Sequence, residues 1–255
     1  AEKDLDLFSD DFLEHYTKTW CNKIEKIYKT YDINQIYFCR DDYIDRLWRR
    51  EIYDNYKKNR PNKETENSLF LRKFYQTNFK FLCFKYNIRY IRLSGLEGDD
   101  IIANLSNYYY NLKGKNKNKV IIIANDKDIT QLVNKTDIRV VDMKNIFDKK
   151  IKYYEKLDVL DLYINGDTSD NIKKISKDVK TKKDLEKFKD KEKLDLYYKL
   201  FDLNYSTKIF KKMFKIYLCS KYIIKFNNTL YAKVVSRPSK VIESPYLADI
   251  IIDNN

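Results

Sequence analysis

Four groups of acidic residues are the part of this chain most able to do chemistry: Asp41 with Asp42, Glu97 with Asp99 and Asp100, Asp126 with Asp128, and Asp167 with Asp170. Each of the first three follows a short apolar run or opens a helical stretch, the position where parallel α/β sheets place ligands at their carboxyl edge. Carboxylates brought within a few ångströms repel one another and raise each other's pKa unless a cation compensates. Oxygen ligands without His or Cys select a hard cation, Mg²⁺ or Mn²⁺. Two such ions suit phosphodiester hydrolysis, one acidifying the attacking water and the other stabilising the leaving oxygen. Any one acidic pair after a strand is commonly a helix cap. Three groups on one sheet edge ask for more than capping. E-x-D-D at Glu97 to Asp100 is moderately specific, D-x-D at Asp126 to Asp128 is weak alone, and G-D-x-x-D-N from Gly166 to Asn171 is the most distinctive.

The elements that must hold these acids can be read from periodicity. Apolar and aromatic residues at helical spacing (Phe12, Tyr16, Trp20, Ile24, Ile27, Tyr28) predict a core-facing helix from about Asp10 to Tyr31, capped by Ser9. Ile36 to Cys39 reads as a strand ahead of the first acidic pair. A basic helix is expected from Leu47 to about Arg60, stopped by Pro61, and a second from Glu64 to Tyr86. Ile88 to Leu93, Val120 to Ala124 and Ile138 to Asp142 read as further strands, with a helix from SGLEGDD through Asn111 and a solvated loop over Lys113 to Lys119. Strands separated by helices predict an α/β fold, a mostly parallel sheet flanked by helices. The domain boundaries expected are a core over 1–165, a lysine-rich helical region over 166–228 and a tail over 229–255.

Composition narrows the partners. The chain has 255 residues, 51 Lys and Arg against 38 Asp and Glu, and a net charge of +13, which favours a polyanion such as nucleic acid. Only 4 Gly and 3 Pro argue against a turn-rich all-β fold. One histidine, His15, makes histidine catalysis a poor reading. Cys21, Cys39, Cys83 and Cys219 are too scattered for a zinc site or a disulfide framework, and predict an intracellular, reducing compartment. No apolar run approaches the about 18 residues that suggest a membrane span, and the acidic start AEKDLDLF does not read as a signal peptide.

The stretches LWRREIYDNYKKNRP, LSGLEGDDIIANL, VIIIANDKDITQLV and INGDTSDNI, in this order, resemble the structure-specific 5′ nucleases, or flap endonucleases, of phages and of bacterial DNA polymerase I. The resemblance runs from about Tyr37 to Asn171. It implies a PIN-like 5′ nuclease core with a helical, helix-hairpin-helix-like carboxyl-terminal part. It implies metal ligation by Asp41 (with Asp42 its neighbour), Glu97, Asp99, Asp100, Asp126, Asp128, Asp167 and Asp170, and a phosphate-gripping pair, Lys57 and Arg60, in the Y-K-x-x-R pattern. Asp41, Glu97, Asp99 and Asp126 would form the tighter site, with Asp128, Asp167 and Asp170 serving the second ion. The implied cofactors are two Mg²⁺ or Mn²⁺ ions, with K⁺ in the helical region. The implied substrate is DNA with a 5′ flap or frayed 5′ end beside a duplex junction. The protein is expected to act as a monomer, beside a replication or repair polymerase. Arg49, Arg50, Tyr56 and Lys58 are the candidate nucleic-acid contacts on the basic helix, which would pair with the following helix as a short arch. Lys173, Lys174, Lys177 and Lys180 are the candidates beyond Asn171.

Two departures from the family stand out. Its members begin with a strand ending in a ligand aspartate of a D-G-N-like motif, whereas this chain goes straight to its first helix; either the chain is truncated or that ligand is absent, with Asp4 or Asp6 as substitutes. After Asn171 the family has a glycine-rich turn, while IKKISKDVKTKKDLEKF has none, so lysine side chains, including Lys182 and Lys183, would replace backbone contacts to phosphate. Two alternatives stay open: a PIN-like ribonuclease, and a catalytically silent structure-specific nucleic-acid-binding protein.

Overall fold

A computed structural model describes residues 7–60, 65–111, 119–134, 137–146, 148, 151–219, 222–226 and 232–236. The expectations for Asp4 and Asp6, for the stop at Pro61, for most of the 113–119 loop and for most of the tail lie outside these residues.

The first helix, α1, spans Asp10–Tyr31. Ser9 Oγ accepts from Phe12 N at 3.3 Å, Asp10 and Asp11 sit at the positive end of the helix dipole, and Asp32 ends it in the left-handed region at φ 44°. Strand β1, Ile36–Cys39, leads through a 3₁₀ turn at Ile44–Arg46 to α2, Trp48–Ile52. Next come α3, Glu66–Gln76, and α4, Asn78–Lys85, in place of the single helix expected. The break falls at Thr77, at φ −113° and ψ −87°, where its hydroxyl donates to Lys73 O at 2.8 Å. Such β-branched hydroxyl residues offer the backbone an alternative to continuing the ladder.

Strand β2 (Ile88–Ile91) precedes α5 (Gly98–Asn111), and β3 (Val120–Ile123) is followed by a 3₁₀ turn at Asp128–Leu132 and β4 (Ile138–Val141). β1 pairs in parallel with β2, Ile36 opposite Ile88, and β3 with β4, Val120 opposite Ile138. Among the described residues the expected parallel sheet is thus two parallel pairs, and α5 packs against β1 of one and β3 of the other. Ile101 and Leu105 on α5 join Ile91, Leu93, Leu96 and Phe214, while Ala103, on the opposite side of the helix, joins Ile122, Ile129, Val140 and Leu203. One helix therefore fixes the carboxyl ends of both pairs relative to each other.

The rest is largely helical: α6 (Val159–Asn165), α7 (Lys182–Glu186), α8 (Lys191–Phe201) and α9 (Leu203–Cys219). α9 lies against α5 and contributes Phe214, 2% exposed, to the same core as β2. The helical region ends sooner than residue 228: β5 (Tyr222–Phe226) and β6 (Ala232–Ser236) form an antiparallel hairpin. No described helix is long and apolar enough to cross a membrane, and Cys21, Cys39 and Cys83 are free thiols.

Candidate metal centre and nucleic-acid interface

The carboxyl ends of the strands and the loop after α6 meet at one polar pocket lined by Glu97, Asp99, Asp126, Asp128 and Asp170, with Arg49, Tyr56, Lys57 and Gln131. Two stretches about 110 residues apart in the chain close it. Lys57 N donates to Asp170 O at 2.9 Å, Asn171 Nδ2 to Asn55 O at 2.8 Å and Asn59 Nδ2 to Thr168 O at 2.9 Å. Y-K-x-x-R and G-D-x-x-D-N are therefore docked on one another.

Both stretches use unusual backbone to do so. Lys57 and Asn171 lie in the left-handed region, at φ 52° and 57°, a conformation that side-chain-bearing residues adopt at a cost and that concentrates at functional sites. At Gly166, φ 71°, an added Cβ would sit 2.6 Å from Ile172 O and Lys174 N, so only glycine permits the narrow bridge in which Asp167 and Ile172 exchange backbone hydrogen bonds of 2.8 and 2.7 Å. That turn is held further by Asp167 Oδ1, which accepts from Ser169 N and Oγ at 2.7 Å each.

The carboxylates fall into two kinds. One kind is satisfied by the protein. Both oxygens of Asp100, which is fully buried, accept from the Arg49 guanidinium at 2.7 and 2.8 Å, and Trp48 Nε1 donates to one of them at 3.0 Å. Burial alone would raise its pKa, but Arg49 outweighs burial and holds the carboxyl below the usual range. Asp42 likewise faces Arg92 at 2.8 Å and Gly95 N at 2.9 Å. Glu97 takes Arg49 and the Tyr56 hydroxyl at 2.7 Å each, and the Lys57 ammonium. Lys57 also lies 3.5 Å from Asp170, and Arg60 bonds the same Asp170 oxygen at 3.0 Å. Burial works against the Lys57 ammonium, but Glu97 and Asp170 more than offset it and keep the group charged.

Asp99 is of the other kind. Among the described residues none donates a hydrogen bond to its side chain. Burial raises its pKa well above the ordinary carboxylate value, and Asp126, Glu97, Asp41 and Asp100 raise it further. Asp128 is pushed up to about 7, by burial first and then by Asp126, Asp167 and Asp170, against the opposing pull of Lys57. Burial and Glu97 raise Asp170 as well, with Lys57 opposing. Carboxyl groups thus crowd in the pocket with too little cationic compensation, as oxygen donors suited to a hard divalent ion. Among the described residues no three acidic, His or Cys side chains are drawn as close together as around a bound ion.

Asp41 and Asp167 flank this charge rather than line the pocket. Asp41 is exposed and accepts from Gly98 N at 2.6 Å, and Asp167 adds its charge to Asp128 and Asp170. Asp126 is exposed and its Oδ1 accepts from Asp128 N at 2.9 Å.

The basic stretch differs from the expected helix. α2 ends at Ile52 and the chain continues in turns, which deliver Tyr56 and Lys57 inward. Arg49 and Tyr56, expected as nucleic-acid contacts, are 3% and 2% exposed and engaged with carboxylates, so neither can stack on a base or meet a phosphate in this conformation. Arg50 pairs with Asp45 at 3.3 Å, and Lys58 and Arg60 are exposed. After Asn171, the buried Ile172, Ile175 and Val179 anchor the segment while Lys173, Lys174, Lys177 and Lys180 are exposed. Sequence reasoning missed Trp48, Arg92 and Gln131; a polar Gln131 between Ile129, Leu132 and Val133 was the signal available for the last.

A family model for the 5′-3′ exonuclease N-terminal resolvase-like domain matches residues 10–163, more than half of the chain. No curated protein matches at the level of sequence. Among solved structures, the D15 flap endonuclease of bacteriophage T5, in a pseudo-enzyme-product complex with DNA and metal ions, is similar at 19% identity over 81% of this chain and 90% of its own, with a TM-score of 0.52. The T5 D15 protein co-crystallised with metal ions is similar at 18% identity over 78% of this chain and 83% of its own, with a TM-score of 0.50. The two parallel strand pairs, the crossing helix α5 and the match across residues 10–163 lead to one assignment: this chain belongs to the 5′-3′ exonuclease family and has its PIN-like 5′ nuclease fold.

Proposed function

We propose that the protein is a divalent-metal-dependent 5′-3′ exonuclease and flap endonuclease that hydrolyses DNA phosphodiesters near junctions of single strand and duplex. The observation that carries this reading is Asp99, half-buried in the pocket wall beside Asp126, Glu97 and Asp41 with no donor among the described residues. Family membership and the DNA and metal ions in the T5 complex support it. Asp41, Glu97, Asp99 and Asp126 are the residues to hold one Mg²⁺ or Mn²⁺, and Asp128, Asp167 and Asp170 the second. Asp100 is assigned instead as the anchor of Arg49, because it is fully buried outside the pocket lining with both oxygens held by that guanidinium, whereas Glu97 lines the pocket. Such ions supply an acidified water and neutralise charge on the leaving oxygen.

The chain's own residues supply the rest. Lys57, kept protonated by Glu97 and Asp170, places a fixed positive charge in the pocket wall, and exposed Arg60 extends it toward solvent, where both can stabilise charge developing on the scissile phosphate. No side-chain nucleophile is required. Lys173, Lys174, Lys177 and Lys180 grip duplex phosphates without reading sequence, so binding is salt-dependent and sequence-indifferent. The test is cleavage of a labelled 5′-flap duplex with Mg²⁺, with Mn²⁺ and with chelator, for the wild type and Asp126→Asn. Cleavage by the wild type with either metal, lost with chelator and in the variant while flap binding stays within a few-fold, is the expected result. Tight flap binding with no cleavage under any condition would favour the silent binding protein, and equal cleavage of single-stranded RNA the ribonuclease.

A further inference from the structure

Among the described residues Gln131 is the one amide side chain lining the pocket, and its hydrogen bonds all run to backbone. It is 6% exposed and sits on the 3₁₀ turn that follows Asp126. Its Nε2 donates to Asp128 O at 3.0 Å and to Phe201 O at 3.1 Å, and its Oε1 accepts from Leu203 N at 2.9 Å. Both amide hydrogens are therefore used. Phe201 and Leu203 flank the corner at which α8 turns into α9, so one side chain ties the acidic turn to the helical half of the molecule. The tie bears on the carboxylates directly, because Asp128 N donates to Asp126 Oδ1 at 2.9 Å. Holding the Asp128 carbonyl steadies the residue that carries one acid and whose N–H orients the other. On the facing wall Arg49 Nε donates to Leu200 O at 3.0 Å while its guanidinium holds Glu97 and Asp100. Both walls are hung from the same corner, residues 200–203.

Space filling does not account for Gln131. A methionine would occupy the same volume beside Leu200, Phe201 and Leu203, whereas burying an amide is unfavourable unless its hydrogen bonds are made. We propose that Gln131 is a positioning residue of the nuclease reaction: by fastening the Asp126–Asp128 turn to the α8–α9 corner it keeps those carboxylates at the pocket, where a divalent ion would meet them. This rests on the function proposed above.

The test is Gln131→Met, which conserves volume and removes all three bonds. Mn²⁺ binding to the full chain is measured by calorimetry without DNA, single-turnover flap cleavage across a range of Mn²⁺, flap affinity in chelator, and melting temperature in chelator as the fold control. Removing a partner that orients a ligand typically weakens metal binding about 10- to 100-fold, and we expect a loss of that size, cleavage that recovers as Mn²⁺ is raised, and unchanged flap affinity. If Gln131→Met does not fold, Gln131→Asn, whose amide is one methylene too short to span from the turn to the corner, is held to the same outcome. A folded variant with wild-type Mn²⁺ affinity, or one whose cleavage no metal concentration restores, would overturn the inference. A wild-type protein that neither binds Mn²⁺ nor cleaves would instead remove the nuclease reading itself.

Discussion

Phe74 is fully buried, with Tyr16, Trp20, Phe70 and Phe79 around it at ring-centroid distances of 4.8 to 6.4 Å, whereas Asp99 is half-buried among the charges of Asp126, Glu97 and Asp41. Around Phe74 each neighbour removes apolar surface from water, a contribution of about 1.5–3 kcal/mol for a fully buried side chain. Around Asp99 each neighbour adds repulsion that folding must tolerate. The aromatic cluster of α1, α3 and α4 is thus arranged for stability, and the pocket at the strand ends is arranged against it. Arg49 is the compromise between them, neutralising Glu97 and Asp100 while leaving Asp99 exposed to its neighbours' charge.

The contrast can be broken most decisively at the acids. Asp99→Asn should abolish flap cleavage and yet raise the melting temperature in chelator, since it removes a repelled charge; calorimetric melting beside a cleavage assay checks both, and a lower melting temperature would contradict the assigned electrostatics. Phe74→Ala should do the reverse, costing about 3–5 kcal/mol in denaturant unfolding while leaving the metal concentration needed for cleavage unchanged below the melting range. Arg49→Met leaves Asp100 buried without its partner, a change that typically costs about 3–5 kcal/mol, and it should be largely relieved by a second change, Asp100→Leu, in a double-mutant cycle. Saturating Mn²⁺ should stabilise the wild type by about 2.7 kcal/mol at 100 times its dissociation constant, an increment absent in Asp99→Asn. Smallest is the duplex grip: each of Lys173→Ala, Lys174→Ala and Lys177→Ala should reduce the slope of log binding constant against log salt by about 1 if that lysine meets a phosphate. An unchanged slope in all three would leave them as solvated surface.

Much of this was legible because local rules agree with the fold. Ser9 announces α1, the runs Ile36–Cys39 and Val120–Ile123 announce strands, and the acids that follow them lie at the carboxyl edge where parallel strands put them. What stayed hidden depends on partners distant in the chain. A basic run containing Arg49 and Lys57 reads as one helix offering its charges to nucleic acid, yet Arg49 is buried by Leu200, Glu97 and Asp100, and Lys57 leaves the helical region altogether to bond Asp170. Neither fact has a local signature. The same holds for Thr77, whose hydroxyl ends α3 inside an otherwise continuous apolar pattern.

Gly98 shows how little material sets the geometry of such a centre. As the first residue of α5 it donates its N–H to Asp41 Oδ1, and a Cβ there would stand only 3.0 Å from that oxygen. A single methyl group would therefore press on the Asp41 carboxylate and turn its aim by a few tenths of an ångström, while the backbone of the strand end stays in ordinary contact. The seat of that carboxylate depends on a side chain that is missing.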